Sequence, residues 1–247
     1  MSLIIIRADE RHHWRNEWLE SWQSLPATGN FDLAANAHGV LLVHNDDRVD
    51  AGEGLDRHQH RDAEIVTWVL DGALHHRDSA GNDGVLKPGV VQRMTAGRGI
   101  AHSEGNATGR LDGTDLRVVQ MWVAPDEAGL EPGYAEADVT DALASGDLAV
   151  VVSGLPRRAA STPVTINNSA AALHVARMPA GKTVTLPDAP YGHLYVARGD
   201  VEVAGVEASG DRLVEGDAVR TRNAGEISLR SPGGAEILFW EMHAGVA

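Results

Sequence analysis

The chain has 247 residues, 43% of them hydrophobic, with a formal net charge of −14, so a soluble globular protein is expected and a phosphate-binding basic surface is not. It has no cysteine, which excludes disulfides, thiolate metal ligands and a cysteine nucleophile. The N-terminal Met1-Ser2-Leu3-Ile4-Ile5-Ile6-Arg7 meets charge too early for a signal peptide, and no apolar run reaches the roughly 18 residues of a membrane helix; a cytoplasmic location, with no membrane and no direct nucleic-acid contact, is therefore expected.

Leu3 to Ile6 predicts a first strand. Trp14, Trp18 and Trp22, spaced by four, predict one packed face of a helix or helical turn. Pro26 to Asn30 reads as a turn. Val40 to Val43 is an apolar strand, which Asn45-Asp46-Asp47 ends. Ile65 to Leu70 is β-branched and aromatic, hence a strand. Asp71-Gly72 carries a hairpin signal, with Ala73 to Arg77 as the return strand. Turns at Asp78 to Asn82 and at Lys87-Pro88-Gly89 precede a strand over Val90 to Met94, and Leu116 to Val123 closes the unit. Strands at about ten-residue intervals with Gly and Pro between them point to a sandwich or barrel. Pro125 to Pro132 reads as a crossing between two domains, residues 1–125 and 126–247. Strand patterning resumes over Leu148 to Val152, Leu173 to Met178, Thr183 to Leu186, His193 to Ala197, Val201 to Val203 and Ile237 to Glu241.

An internal repeat explains the second half. Gly72 and Gly199 are 127 positions apart, as are Gly89 and Gly216. Each interval contains a turn, at Gly81-Asn82 and at Ser209-Gly210-Asp211. A duplicated unit is expected.

Two short stretches carry the chemistry. On a strand, residues i and i+2 share a face. His58 with His60, and His102 with Glu104, therefore form two forks able to converge on one divalent first-row metal. At the repeat offset these positions become Thr185, Pro187, Leu229 and Ser231, which predicts one metal per chain, held by the first half. Gly97 and Gly99 suit a close-approaching backbone. Glu64 is a competing carboxylate, and Arg98 is either a site cation or a surface residue. Of the other histidines, His12, His13, His38, His44, His75, His174, His193 and His243 are read as structural or exposed.

The residues around these forks are His58-Gln59-His60-Arg61, Glu64-Ile65-Val66-Thr67-Trp68-Val69-Leu70-Asp71-Gly72, His76-Arg77-Asp78-Ser79-Ala80-Gly81-Asn82 and Met94-Thr95-Ala96-Gly97-Arg98-Gly99-Ile100-Ala101-His102-Ser103-Glu104. They resemble the cupin superfamily and, more closely, the pirins. That resemblance covers about residues 1 to 125 well and the rest through an expected second barrel. It implies an all-β fold of two tandem jelly-roll cupin barrels, a bicupin. It implies metal ligation by His58, His60, His102 and Glu104, with Glu104 preferred to Glu64. One divalent ion is expected, iron(II) first and zinc, manganese, nickel, cobalt or copper as alternatives.

Some pirin-like proteins are quercetin 2,3-dioxygenases, so the resemblance implies oxygen-dependent ring opening of a flavonol or related enediol-like phenol. Glu104 would be the catalytic base for the substrate hydroxyl. The alternative is a non-enzymatic, metal- or redox-sensing regulator with a protein partner. The sequence departs from the family at Ser21-Trp22-Gln23-Ser24-Leu25-Pro26-Ala27, where an aromatic stretch is usual, at Gln59, where proline is usual, and over Gly52-Glu53-Gly54-Leu55-Asp56, where the family has Gly-Phe-Gly. These changes spare the ligands and alter the cavity wall. With Asp56-Arg57 they favour a more polar substrate.

Overall fold

The computed structural model describes residues 2–27, 29, 32–204 and 211–246. The expected turns at Pro26 to Asn30 and Ser209-Gly210-Asp211 therefore lie in part outside the described residues. The fold is all-β, and among the described residues the one α-helix spans Thr140–Leu143.

The strands of the first half are β1 (Ser2–Ile6), β2 (His12–Arg15), β3 (Leu19–Leu25), β4 (Leu41–Val49), β5 (Gly54–His60), β6 (Glu64–Asp71), β7 (Leu74–Asp78), β8 (Asp83–Leu86), β9 (Val90–Thr95), β10 (Ile100–Asn106), β11 (Leu116–Val123) and β12 (Gly133–Asp138). A seven-stranded sheet, β12-β9-β6-β11-β4-β3-β2, faces a four-stranded sheet, β5-β10-β7-β8. The second half contributes β13 (Ala149–Ser153), β14 (Val164–Thr165), β15 (Ala171–Met178), β16 (Thr183–Leu186), β17 (Tyr191–Ala204), β18 (Arg212–Val214), β19 (Ala218–Arg222), β20 (Ile227–Arg230) and β21 (Ala235–Met242).

The repeat is visible in the pairing. β6 lies between β9 and β11 as β17 lies between β19 and β21, and β5 pairs β10 as β16 pairs β20. Gly72 and Gly199 both have left-handed φ, +73° and +69°. A Cβ there would fall 2.6 Å from the Asp115 carbonyl oxygen or 2.0 Å from that of Gly234, so only glycine fits both the conformation and the space.

Four expectations are corrected. The tryptophans at 14, 18 and 22 lie on a hairpin, β2 with β3, where Trp14 opposes Ser21 and His13 opposes Trp22. A spacing of four is also twice the strand period, and Asn16 turns the chain by accepting the backbone N–H groups of Trp18 and Leu19. Asn45-Asp46-Asp47 does not end β4. Asp46 is buried with both oxygens taken by the Arg117 guanidinium, at 3.1 and 2.8 Å, and with the Tyr195 hydroxyl donating to it; partners distant in sequence make polar residues tolerable inside the sheet. Asp71-Gly72 does not close a hairpin, because β6 and β7 belong to different sheets. The turn delivers the chain from one sheet to the one facing it. The two barrels also exchange strands: β1 pairs with β19 of the second barrel, and β12 pairs with β9 of the first. Each exchanged strand covers a sheet edge that would otherwise present unpaired backbone groups. Likewise His193 to Ala197 and Val201 to Val203 form one bent strand, β17, and not two.

The two barrels pack back to back through the outward faces of their large sheets. Trp68, Leu70, Met121, Tyr195, Leu238 and Trp240 are at the centre of this seam, all almost fully buried. The indole N–H of Trp68 donates to Glu236 at 2.7 Å, so a polar atom in the seam is also satisfied.

Candidate metal centre

The four-stranded sheet places the site. Its strand β10 lies between β5 and β7. On one side His102 directly opposes His58, and a bulge falls between His102 and Glu104. On the other side Glu104 opposes His76, and His102 opposes Asp78. Directly opposed residues share a face. The expected two forks are therefore three, with His76-x-Asp78 added on β7. The i, i+2 spacing of His76 and Asp78, the same as that of His58 and His60, is the signal in the sequence that could have found it; in the structure Leu74, His76 and Asp78 are buried while His75 and Arg77 are exposed.

The potential ligand atoms of His58, His60 and His102 lie within 4.8 Å of one another, as do those of His76, His102 and Glu104. His102 is common to both groups. Ring centroids are 4.4 Å apart for His58 and His102, and 4.9 Å for His60 and His102. His58 Nδ1 lies 2.8 Å from the Asp56 carbonyl oxygen, which fixes the N–H there and leaves Nε2 free to ligate. His60 Nε2, both nitrogens of His102, and His76 Nδ1 are buried without a hydrogen-bond partner. Orphaned buried nitrogens cost about 1–3 kcal/mol each, and a shared cation removes that cost for several at once. Neutral imidazoles with a carboxylate suit a divalent first-row ion, so the residues present fit the metal that their spacing implies.

Electrostatics prepare the same donors. Burial, with neighbouring His58 and His102, pushes His60 down to about 4. Burial also lowers His102 to about 4, against the opposing effect of Glu104. Both rings are therefore neutral at pH 7. Burial works against ionisation of Glu104, but His76, His102 and Gln120 outweigh it and hold the carboxyl at about 2. His76 Nδ1 stands 3.7 Å from Glu104 Oε1. The Gln120 amide donates to Glu104 Oε2 at 2.7 Å, and the Trp122 indole donates to Gln120 Oε1 at 3.1 Å. Trp122 also meets His60 edge-on.

Gln120 is one of a row. It opposes Asn45 on one side and Thr67 on the other, and Thr67 in turn opposes Gln92. The row faces into the barrel toward Glu104. Asn45 Oδ1, Thr67 Oγ1 and both amide atoms of Gln92 are buried without a partner. Near it, burial raises the Asp47 carboxyl to about 7. A polar residue at an inward position of an apolar strand, as in Val119-Gln120-Met121 or Val66-Thr67-Trp68, is the signal in the sequence for this belt.

Other candidates are placed elsewhere. Glu64 is fully buried but accepts from Thr95 at 3.1 Å and from the Asn167 backbone at 3.0 Å, tying the first barrel to the second half. Arg98 is exposed and paired with Glu131 at 2.6 Å. Asp56 and Arg57 are exposed. Gly97 has a left-handed φ, and a Cβ there would lie 2.0 Å from the Leu130 carbonyl oxygen, so this glycine is required immediately before β10. In the second barrel Leu229, at the position equivalent to His102, is fully buried in an apolar core with Leu186, Val203, Leu213 and Phe239. Among the described residues both potential metal-holding groups lie in the first barrel.

A family model described as pirin matches residues 9–123, and one described as quercetinase C-terminal cupin domain matches residues 150–242. A Mycobacterium tuberculosis protein named "Putative quercetin 2,3-dioxygenase" is 45% identical over 240 residues, covering 97% of this chain and 95% of its own length. The quercetin 2,3-dioxygenase of Escherichia coli is 37% identical over 134 residues, 54% of this chain and 57% of that protein. The crystal structure of a bacterial pirin from Escherichia coli in complex with nickel(II) superposes with a TM-score of 0.84 at 26% identity, covering 98% of this chain and 100% of that one.

Proposed function

We propose, starting from the fact that this chain belongs to the pirin family of two-barrel cupins, that it is a metal-dependent dioxygenase of the quercetin 2,3-dioxygenase type. The observation that carries this reading is the convergence of His58, His60 and His102 beside Glu104, with four orphaned imidazole nitrogens. The ligands are His58, His60, His102 and Glu104, and the ion is divalent, iron(II) first. When bound, such an ion supplies Lewis acidity toward a substrate hydroxyl and redox chemistry toward dioxygen.

The chain's own groups do the rest. Glu104, kept ionised by His76 and aimed by Gln120, takes the proton of the substrate hydroxyl at its Oε atoms. Trp122 and His60 form an aromatic corner against which a flat phenol stacks. The row of Asn45, Thr67 and Gln92 offers unpartnered acceptors and donors to ring hydroxyls, which favours a polyhydroxylated, polar substrate over an apolar flavonol.

The test is oxygen uptake by the metal-loaded protein with quercetin and other enediol-like phenols. Consumption of the phenol that stops under anaerobic conditions, while its binding persists, is expected. Turnover unchanged without oxygen rejects the mechanism. No uptake with any of these phenols, at full metal occupancy, rejects the enzyme reading in favour of a metal-sensing regulator with a protein partner.

A further inference from the structure

The four-stranded sheet has a second face. Side chains alternate along each strand. While His58, His76, His102 and Glu104 point into the first barrel, Arg57 on β5, Arg77 on β7 and Ser103 on β10 point outward. Ser103 directly opposes Arg77. On its other side two residues of β5, Asp56 and Arg57, lie against Ser103 alone, because Leu55 pairs with Glu104 and His58 with His102. A bulge of this kind re-aims side chains. Arg57 and Arg77, with Ser79, Ala101 and Ser103, line a cavity of about 350 Å³ on this face, the size of a small-molecule site.

The wall is cationic, in a protein of net charge −14. Asp78 and His102 also border the cavity, but their side chains are 0% exposed. The Asp78 carboxylate is engaged by the backbone N–H groups of Ala80 and Asn82 and by the Asn82 amide, so it presents no free charge there. Arg57 is exposed and has no hydrogen-bond or ion-pair partner among the described residues. The Arg77 guanidinium approaches Asp83 at 3.5 Å through Nε, and Asp83 is already held by His75 at 2.7 Å. The Ser79 hydroxyl accepts from the Ala101 N–H at 3.1 Å, which leaves its own O–H to donate. The half-buried Ser103 hydroxyl has no partner among the described residues. Neighbouring strands lie about 4.8 Å apart, so the two arginines start roughly 10 Å apart, one on each side of Ser103.

We propose that this outer cavity binds a phosphate group, held between the guanidiniums of Arg57 and Arg77 with the hydroxyls of Ser79 and Ser103 donating to it. A phosphate group brings close to two negative charges and three strong acceptor oxygens at neutral pH. That matches two guanidiniums and two O–H donors. A carboxylate brings one charge and two oxygens, so it leaves part of the wall unsatisfied. Free phosphate and a small phosphate ester share this chemistry. The group spans β5, β10 and β7 from behind the metal centre, since Ser103 lies between His102 and Glu104.

Isothermal titration of the metal-loaded protein at low ionic strength tests this, with inorganic phosphate, glycerol 3-phosphate and acetate as probes. One phosphate group per chain is expected, with acetate at least about tenfold weaker. Tighter binding of glycerol 3-phosphate makes the ligand an ester, and tighter binding of inorganic phosphate makes it the free ion. Arg57→Gln and Arg77→Gln should each weaken binding about tenfold, the loss of one charge-assisted contact in an open site. Arg230→Gln, a change at an exposed arginine of the second barrel paired with Glu202, should leave it unchanged. His60→Ala, which removes a metal ligand, should also leave it unchanged. No binding of either phosphate probe by the wild-type protein overturns the proposal, as does acetate binding as tightly as phosphate. So does phosphate binding that survives both Arg57→Gln and Arg77→Gln but is lost in His60→Ala, since the anion would then sit on the metal.

Discussion

Replacing His76 by phenylalanine separates its role from that of the three histidines beside it. Phenylalanine keeps the ring in its buried place against Tyr134 and removes the nitrogen 3.7 Å from Glu104. Glu104 sits at about 2 against an ordinary 4.5. That difference of roughly 2.5 units is worth ~3.4 kcal/mol of preference for the carboxylate, and His76 is the first of the groups producing it. Without His76 the burial of Glu104 is less well opposed, so its pKa rises toward or past the ordinary value. The sign follows from linkage. In the parent protein Glu104 takes up no proton until the pH approaches 2, so it adds no pH dependence to metal binding between pH 5 and 7. In His76→Phe protons compete with the metal in that window, and affinity falls as pH falls. A loss of about 10–100-fold at pH 7 is expected, the range typical of groups that orient a ligand. Competitive chelator titration at pH 5 to 7.5 measures both quantities. Unchanged affinity with an unchanged pH profile refutes the reasoning, and loss of all binding would make His76 a ligand itself.

Three further outcomes are expected. Elemental analysis of the purified protein should give one metal per chain, because Leu229 and its neighbours fill the second barrel; two equivalents would contradict this. The metal-free protein should lose stability as pH falls from about 6.5 toward 4, because His38, His60 and His102, held at about 4, and His44, at about 3, bind protons in the unfolded chain before the folded one. Each contributes up to ~1.4 kcal/mol per pH unit, and denaturant midpoints that stay constant across this window would exclude the effect. Trp68→Ala should cost about 3–5 kcal/mol and lower the unfolding of both barrels together in calorimetry; loss confined to the first barrel would show that the seam does not couple them.

Much of the fold was written in local pattern. β6 and β11 follow from β-branched runs, and the recurrence of Gly72 and Gly89 at 199 and 216 marks the duplication because the same left-handed turns recur. The two expected forks are on neighbouring strands for the same reason: His-x-His and His-x-Glu need only the strand period to aim together. What was hidden depended on partners far away. The spacing of Trp14, Trp18 and Trp22 suits a helix and a strand equally. Asp71-Gly72 specifies a sharp turn but not the sheet that receives the chain. Asp46 looks like a breaker until Arg117 and Tyr195 arrive to neutralise it. His76 lay inside a motif whose meaning appears only when β7 lies beside β10.

The crossing of strands between barrels has a consequence for how the molecule is made. Ser2–Ile6 leaves the ribosome before every other described strand, yet the residues it pairs with, Ala218–Arg222, are more than two hundred positions later. At translation rates of about 5–20 residues per second that edge waits roughly 10–40 s for its partner. The first barrel can close its metal face early, since β5, β7 and β10 all precede residue 107. The second barrel cannot be completed until β20 and β21, which follow β19, have also emerged, so β1 acts as a latch fastened late.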